Sequence, residues 1–426
     1  MIRKAFHTAG LLLLLGAITG CGSYVPVSAS DNFAYLYGKG AAAMRLDARI
    51  YQPEKDRATV YFKLRTADLL YKGTGGGGPY YARVVMRYES YPAIGSKQLL
   101  DSASTYVKDQ SMHPSEDKEL IGSLPLKLVH DQDFILRVTA RDLNRDTEST
   151  VILKVGRGKA SIAQAFLPLA PNNLPIFNDQ VSPGSTVRIE AERLAGDTLL
   201  VEHYRPVDQL PAPVFVNAQP PRLDIAPDSI FRVAVAADGT FRLTLGNAGL
   251  YHFRADTTSM TGYTLFVPPE SYPEVTTATG MLPPLRYITS AKEWETLSGG
   301  PDVRKPVERF WIEAAGSRDR AREAIAAYYG RVESANRHFT SYTEGWKTDR
   351  GLVHIIFGTP TTIRKDDKGE TWIYGDESNL MSLVFTFRRR TGPFSDNDLV
   401  LVRDAQLKSA WYRNVESWRN GRILQY

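Results

Sequence analysis

The order of apolar and polar residues divides the chain into a β-rich part and a mixed C-terminal part. In the first stretch, short β-branched and aromatic runs show partial alternation with polar residues, and turn residues separate them. The clearest runs are Ala58–Leu64, Tyr80–Tyr88, Phe134–Ala140 and Thr150–Val155. This spacing is typical of an antiparallel β-sandwich. The pattern therefore predicts an N-terminal β-sandwich over residues 33–160.

A second group of runs predicts another β-sandwich, of the immunoglobulin-like type, over residues 165–270. These runs are Thr186–Glu190, Leu199–His203, Phe231–Val235, Thr240–Leu245 and Tyr263–Val267. Asp238-Gly239 stands between two of the runs. Because Asp-Gly is favoured in tight hairpin turns, this dipeptide predicts a hairpin there.

The pattern changes after a proline-rich passage. Residues 271–289 contain Pro273, Pro283 and Pro284 and are interpreted as a linker. All of the tryptophans lie beyond it, at Trp294, Trp311, Trp346, Trp372, Trp411 and Trp418. We expect an α+β domain over residues 290–426, so the fold class as a whole is a mainly β, multidomain chain.

Helical and strand patterns alternate within this third region. Ser317 is a suitable cap for a helix whose apolar positions have helical spacing: Ala321, Ile325, Tyr328, Val332, Ala335 and Phe339. Short apolar runs predict strands at Leu352–Phe357, Thr371–Tyr374 and Leu383–Phe387. A last apolar pattern at Leu407, Trp411, Val415 and Trp418 predicts a C-terminal helix.

The N-terminus has the pattern of an export signal over residues 1–20. Arg3 and Lys4 precede an apolar run around residues 11–15, which is too short to span a bilayer. Ile18-Thr-Gly-Cys21 resembles a bacterial lipobox, and this resemblance implies that Cys21 carries lipid. Residues 21–32 are then a short tether. Because no acidic cluster follows Gly22, we expect an outer-membrane location, facing the periplasm.

Composition narrows the possible partners. The chain has 52 Lys and Arg against 47 Asp and Glu, a net charge of +5. Loss of Arg3 and Lys4 with the signal would leave +3, which is too small an excess to indicate a nucleic-acid partner. Cys21 is the sole cysteine. With Cys21 lipidated no disulfide can form, so stability must come from apolar burial.

Neither a dinucleotide-binding site nor a metal site is supported by the surrounding sequence. Gly73-Thr-Gly-Gly-Gly-Gly78 matches a dinucleotide-binding pattern, but Pro79 and a strand pattern follow it rather than a helix. It is interpreted as a hairpin loop, and no cofactor is expected. The histidines are scattered without metal-ligand spacing, so no metal site is expected either. No nucleophile motif is present, and no catalytic residue is assigned.

One constellation stands out near the C-terminus. Gly345-Trp346-x-Thr348-Asp349 is followed by Arg350-Gly351, an apolar run, Gly358-x-Pro360 and Trp372-x-Tyr374. These residues resemble the GWxTD-domain family, over about residues 290–426. The resemblance implies a C-terminal module of exported bacterial proteins but supplies no reaction. An acidic residue often follows the Gly-x-Pro turn in the family, whereas this chain has Thr361.

The residue types of the motif favour a folding device that also shapes a surface for a partner. Gly345 and Gly351 allow sharp turns, Thr348 and Asp349 can bind loop amides, and Trp346 offers a large apolar face. Arg350 can pair with Asp349 or with a neighbouring carboxylate. A catalytic interpretation would instead make Asp349 an acid or base with His354 as its partner.

The sequence thus predicts a non-enzymatic outer-membrane lipoprotein that acts as a scaffold or accessory subunit of a cell-envelope complex. Gly358-x-Pro360 and Trp372-x-Tyr374 also resemble the SmpA/OmlA-type domain, which serves outer-membrane protein assembly. The alternative is an envelope hydrolase that acts on peptidoglycan or glycans through carboxylates near the motif. A third possibility, carbohydrate binding by the sandwiches, would use Tyr80, Tyr81 and Tyr88.

Overall fold

The computed structural model describes residues 32–37, 44–73, 75, 77–114, 116–218 and 225–424. The predicted signal, Cys21 and all of the predicted tether except Asn32 lie outside the described residues. The described chain forms five β-sheets and a small helical C-terminal region. The mainly β character predicted from the sequence is therefore confirmed.

The first unit contains two sheets around one hydrophobic core. Its strands are β1 (Leu46–Tyr51), β2 (Ala58–Arg65), β3 (Lys72–Gly73), β4 (Tyr80–Tyr91), β5 (Asp101–Ser111), β6 (Glu119–Leu126), β7 (Phe134–Asp142) and β8 (Thr147–Val155). One sheet has the order β1–β2–β6. In the other, β3, β5 and β7 pair with β4, and β8 pairs with β7. Alternate residues of β2 and β4 are buried, because each sheet turns one face to the core. The glycine-rich segment joins the paired strands β3 and β4, as expected of a hairpin loop.

The second unit also places two sheets around a common core. Its strands are β9 (Leu167–Leu169), β10 (Ser185–Glu190), β11 (Thr198–Tyr204), β12 (Ser229–Ala234), β13 (Thr240–Leu245), β14 (Gly249–Arg254) and β15 (Tyr263–Val267). The sheet orders are β13–β10–β9 and β12–β11–β14–β15.

The hairpin predicted at Asp238-Gly239 is wrong, although a tight turn is present. The Gly239 N–H donates to Ala236 O at 2.9 Å, and Gly239 has a φ of +74°. However, β12 pairs with β11 whereas β13 pairs with β10. The turn carries the chain from one sheet to the other, because both strands turn their apolar residues to the core between the sheets.

The third unit combines helices with a four-stranded antiparallel sheet. The helices are α1 (Ala278–Met281), α2 (Ala291–Ser298), α3 (Arg304–Ala315), α4 (Arg318–Phe339), α5 (Asp349–Phe357) and α6 (Lys408–Arg419). The strands β16 (Thr362–Asp366), β17 (Gly369–Tyr374), β18 (Leu383–Arg389) and β19 (Leu399–Leu401) lie in that order. The predicted helix capped by Ser317, the last two predicted strands and the C-terminal helix are confirmed.

The strand predicted at Leu352–Phe357 is wrong, since these residues belong to helix α5. Thr348 caps that helix by accepting the Gly351 N–H at 3.0 Å. Every residue from Arg350 to Phe357 is buried. A helix that is buried all round shows no polar stripe, so its short apolar run looks like a buried strand in the sequence.

The interpretation of residues 271–289 as a linker is also wrong. The passage contains α1 and a short 3₁₀ helix, Pro283–Tyr287. Leu285 and Ile288 are buried in the core of the third unit. The Tyr328 hydroxyl donates to Pro284 O at 2.7 Å. Proline fixes the backbone of this segment, and its apolar neighbours then pack on α4.

The boundary of the predicted first sandwich at residue 33 needs correction. Phe33 and Tyr37 are buried in the core of the third unit rather than the first. The Phe33 N–H donates to Ile363 O at 2.9 Å, and Asn32 Nδ2 donates to Thr361 O at 3.0 Å. The described start of the chain therefore lies beside β16, and the first unit begins near Met44.

The second and third units also share buried surface. Val214, from the long connection between β11 and β12, is fully buried in the core of the third unit. The Asp404 N–H donates to Val214 O at 3.1 Å. In return, Phe394 of the third unit packs edge-on against Tyr204, with ring centroids 4.8 Å apart. The two units thus exchange apolar side chains across their contact.

We expect Val214→Ala to lower the free energy of unfolding by roughly 1.5–3 kcal/mol, because it removes two buried carbon atoms and leaves a cavity. Val216→Ala is the matched control, since Val216 is two residues away and exposed. The control should change stability by less than about 0.5 kcal/mol. Chemical denaturation measures both. Equal effects of the two variants would contradict the packing of this connection on the third unit.

Candidate functional site

The GWxTD motif lies where the chain passes from α4 into α5. A Cβ atom on Gly345 would lie 2.0 Å from Ala335 O, and one on Gly351 would lie 2.0 Å from Gly345 O. Neither glycine has a positive φ. The sharp turns expected at these positions are therefore not what requires glycine here. Glycine lets three stretches of backbone approach more closely than any side chain permits.

Trp346 and Thr348 fix this close approach through hydrogen bonds. The Trp346 N–H donates to Asn336 Oδ1 at 3.1 Å, and its indole N–H donates to Glu344 Oε2 at 2.6 Å. Thr348 Oγ1 donates to Gly345 O at 2.7 Å while it caps α5. The Trp346 side chain is buried. As expected, the short polar residue of the motif binds main-chain groups of the segment.

Asp349 connects the start of α5 to the end of the sheet. Its carboxylate accepts the Leu401 N–H at 2.8 Å and pairs with Arg403, with Nη2 to Oδ1 at 2.6 Å. The partner expected in the catalytic interpretation points elsewhere, because His354 Nε2 lies 3.1 Å from Ser334 Oγ on α4. Asp349 is thus a structural connector in this geometry.

Arg350 is the centre of a buried polar network. Its Nη1 lies 3.2 Å from Glu370 Oε1, and its Nη2 donates to Asn397 O at 2.7 Å and to Asn397 Oδ1 at 2.5 Å. The guanidinium also lies over the ring of Phe339, 4.9 Å from the centroid. The sequence left open whether Arg350 pairs with Asp349 or with another carboxylate. The structure shows the second arrangement.

Glu370 collects four donors within the core. Its Oε1 accepts from Arg350, the Tyr37 hydroxyl at 3.0 Å and Lys365 Nζ at 3.0 Å. Its Oε2 accepts the Trp372 indole N–H at 2.8 Å. Burial by itself would raise the pKa of this carboxyl, but the positive charges of Arg350 and Lys365 and the hydrogen bonds lower it to about 2. Glu370 is therefore a carboxylate at neutral pH.

The Gly358-x-Pro360 turn closes the same core. Gly358 has a φ of +86°, a conformation that favours glycine, and its carbonyl accepts the Tyr374 hydroxyl at 2.8 Å. Arg331 Nη1 donates to Ile355 O at 3.1 Å near the end of α5. Pro360, Trp372 and Tyr374 are buried. The structure thus brings the predicted motif residues together, with their side chains in the interior of the third unit.

Sequence reasoning missed most partners of the motif. Tyr37 lies 333 residues from Glu370, and Asn397 and Arg403 also come from separate segments. Of these partners, only Glu370 could have been found from the sequence. Residues 370, 372 and 374 share one face of a strand, so Glu370 lies on the same face as Trp372 and Tyr374. Among the described residues, no three His, Cys, Asp or Glu side chains are grouped to hold a metal.

The fold and this network describe a mainly β chain with an α+β C-terminal module built around the motif. The sequence model of the GWxTD domain matches residues 249–420. The chain therefore carries a GWxTD domain. The match begins at Gly249, the first residue of β14, whereas the resemblance seen in the sequence began near residue 290.

Other comparisons add little. No curated protein matches the chain. Among solved structures, a β-glucuronidase of Bacteroides uniformis is 14% identical with a TM-score of 0.17, over 25% of this chain and 12% of its own. A putative β-galactosidase of Bacteroides fragilis is also 14% identical with a TM-score of 0.17. The match covers 34% of this chain and 18% of the β-galactosidase. Red sea bream transglutaminase is 10% identical with a TM-score of 0.19. The match covers 53% of this chain and 31% of the transglutaminase. Similarities this low carry no argument about function.

We expect Arg350→Met to lower the free energy of unfolding by about 3–5 kcal/mol, because it leaves the Glu370 carboxylate buried without its arginine. Arg322→Met is the control, since Arg322 is exposed and its ion-pair partner Asp319 is exposed as well. Arg350→Met combined with Glu370→Gln should be less destabilised than the sum of the single variants. Additive effects would show that the pair does not couple.

Stability should also depend on the ionisation of Glu370. Its pKa falls from an ordinary 4.5 to about 2 on folding, so the stabilisation is present above pH 4.5 and is lost as pH falls toward 2. Between pH 7 and a pH one unit below 4.5, the wild type should lose about 1.4 kcal/mol more than Glu370→Gln. Denaturation curves of both proteins at the two pH values test this. An equal loss would assign the acid sensitivity to other groups.

Proposed function

We propose that the chain is a lipid-anchored protein of the outer membrane, held through Cys21 and facing the periplasm. The observation that carries this proposal is the position of Cys21, directly after a short basic and apolar segment and unique in the sequence. Several acyl chains anchor a protein stably, whereas one alone binds weakly. In the described part of the chain, no helix has the length and apolar character needed to cross a membrane.

We further propose that the protein acts as a scaffold or accessory subunit of a cell-envelope complex. Polar contacts between its units support this role. Arg49 of the first unit pairs with Asp179 of the second, with Nη1 to Oδ1 at 2.5 Å, and its Nη2 donates to Phe166 O at 3.1 Å. Lys347 beside the motif also pairs with Asp208, an exposed residue of the second unit, at 3.2 Å. Units fixed in this way present their loops and edge strands in a constant arrangement.

The two β-rich units are proposed to be immunoglobulin-like sandwiches that supply the partner surface. Loops and edge strands of such modules commonly bind other proteins. Strand β5 pairs with β4, and its Tyr106 side chain is exposed at the surface. An exposed tyrosine at a sheet edge suits a protein partner, because aromatic residues dominate interface energetics.

The hydrolase alternative receives less support from the geometry. A glycoside hydrolase needs a pair of carboxyl groups that reach the substrate. Glu370 is buried, the Asp349 side chain is only 9% exposed, and each is bound to an arginine. Their hydrogen bonds connect elements of the fold to one another. This arrangement favours a role of the motif in holding the third unit together.

Substitution of Cys21 by Ser should abolish incorporation of labelled palmitate and move the protein from the detergent phase to the aqueous phase. Ser28→Ala, in the same predicted tether, is the control and should behave as wild type. Metabolic labelling and phase partitioning measure both properties. If the Cys21→Ser protein still partitions with detergent and carries palmitate, the proposed anchor is wrong.

The scaffold role is tested by purification of the tagged full-length protein from envelope membranes in mild detergent. We expect a stoichiometric partner with the wild type and a reduced yield of that partner with Tyr106→Asp. Tyr412→Asp, at an exposed tyrosine of α6, is the matched control. Melting curves check that both variants are folded. Recovery of the wild type without any partner would count against the scaffold role.

A further inference from the structure

The loop of residues 376–382, between β17 and β18, carries an exposed apolar pair. Leu380 and Met381 are 101% and 85% exposed, more than any other large apolar side chain of the described residues. Val384, near the start of β18, adds a third exposed apolar side chain at 48%. Three exposed apolar side chains within residues 380–384, at one end of a sheet, indicate an interaction surface.

Hydrogen bonds within the loop hold its backbone in one arrangement. The Asn379 N–H donates to Asp376 O and the Ser382 N–H to Asn379 O, each at 3.0 Å. The Met381 N–H donates to Asn379 Oδ1 at 2.9 Å. These main-chain donors need no water, so the loop can enter an apolar medium without leaving them unsatisfied. The exposed apolar pair is thus displayed by an ordered turn.

This loop lies at the end of the sheet where the described chain begins. Asn32 Nδ2 donates to Thr361 O at 3.0 Å, and Thr361 Oγ1 accepts the Gly375 N–H at 3.1 Å. Asn32, Thr361 and Gly375 therefore lie side by side, next to the loop. Tyr37 lies toward the opposite end, where Lys365 and Glu370 are its partners. Residue 32 is thus the point from which the preceding tether leads back to Cys21.

We infer that Leu380 and Met381 insert into the lipid bilayer that holds Cys21, and this inference rests on the proposed lipid anchor. Ten residues lie between Cys21 and Asn32, so eleven residue-to-residue steps join the two. Such a segment spans at most about 36–40 Å, since a fully extended chain covers about 3.3–3.6 Å per residue. A short tether keeps the loop at a high effective concentration beside the membrane, so weak insertion suffices.

Charges near the loop favour an apolar contact over an electrostatic one. Glu377 is paired with Arg364, with Oε2 to Nη2 at 2.7 Å. Asp376 Oδ1 accepts the Ser378 N–H at 2.9 Å and the Ser378 hydroxyl at 2.8 Å. Binding to anionic lipid would instead use a cluster of lysines and arginines beside the membrane. The insertion should therefore occur in zwitterionic vesicles and change little with salt.

The test uses the lipidated full chain in phosphatidylcholine vesicles. Because Cys21 is the sole cysteine, Met381→Cys provides the one free thiol for an environment-sensitive dye. We expect blue-shifted emission and strong quenching by spin labels on the acyl chains. Met112→Cys is the matched control, since Met112 is an exposed methionine in the first unit. Its dye should show neither effect. Addition of Leu380→Ser should reduce the quenching at position 381.

The possible results distinguish failure of the proposed lipid anchor from failure of the proposed insertion. If the purified chain carries no acyl chains and does not float with vesicles, both the anchor and the insertion are wrong. If it is acylated and floats, but the dye at position 381 is quenched no more than the dye at position 112, only the insertion is wrong. Quenching confined to position 381 supports both. If the quenching disappears at high salt, the loop binds the membrane through charge attraction and the proposed apolar insertion is wrong.

Discussion

The third unit depends on one buried ion pair, between Arg350 on helix α5 and Glu370 on strand β17. Removing two charges from water is costly, and only a complete set of partners offsets that cost. Here Asn397, Phe339, Lys365, Tyr37 and the Trp372 indole supply these partners, and in the described chain Arg350 Nε alone of the guanidinium nitrogens has no hydrogen-bond acceptor. Helix, sheet, loop and N-terminal segment must therefore all be in place before either charge is satisfied. This requirement makes the arrangement of those elements specific.

The glycines of the motif explain how α5 reaches this position. Close backbone contacts at Gly345 and Gly351 bring the segment against α4, and Thr348 then starts the new helix. The next two residues project into separate ion pairs, Asp349 toward Arg403 and Arg350 toward Glu370. This short sequence thus determines the close contact with α4, the start of α5 and two ion pairs. Such a motif serves the fold.

Segments that are distant in the sequence also meet at the contacts between the units. The third unit takes Phe33 and Tyr37 from the chain start and Val214 from the second unit into its core. The second unit in turn surrounds Phe394. If the anchor at Cys21 is present, the segment at Asn32–Tyr37 places the GWxTD domain next to the membrane. In the proposed arrangement, the β-rich units remain available for partners in the periplasm.

The sequence by itself determined the mainly β class, most strands of the first two units, the helix capped by Ser317 and the residues of the motif. These features are local, because side-chain periodicity and capping depend on neighbours a few positions away. Helix α5 was misjudged because burial on all sides removes the polar stripe that identifies a helix. Apart from Glu370, the partners of Arg350 and Asp349 depended on the tertiary structure alone. Polar contacts between segments as distant as residues 37 and 370 produce no periodic pattern in the sequence, since only the packed core brings such residues within hydrogen-bond distance.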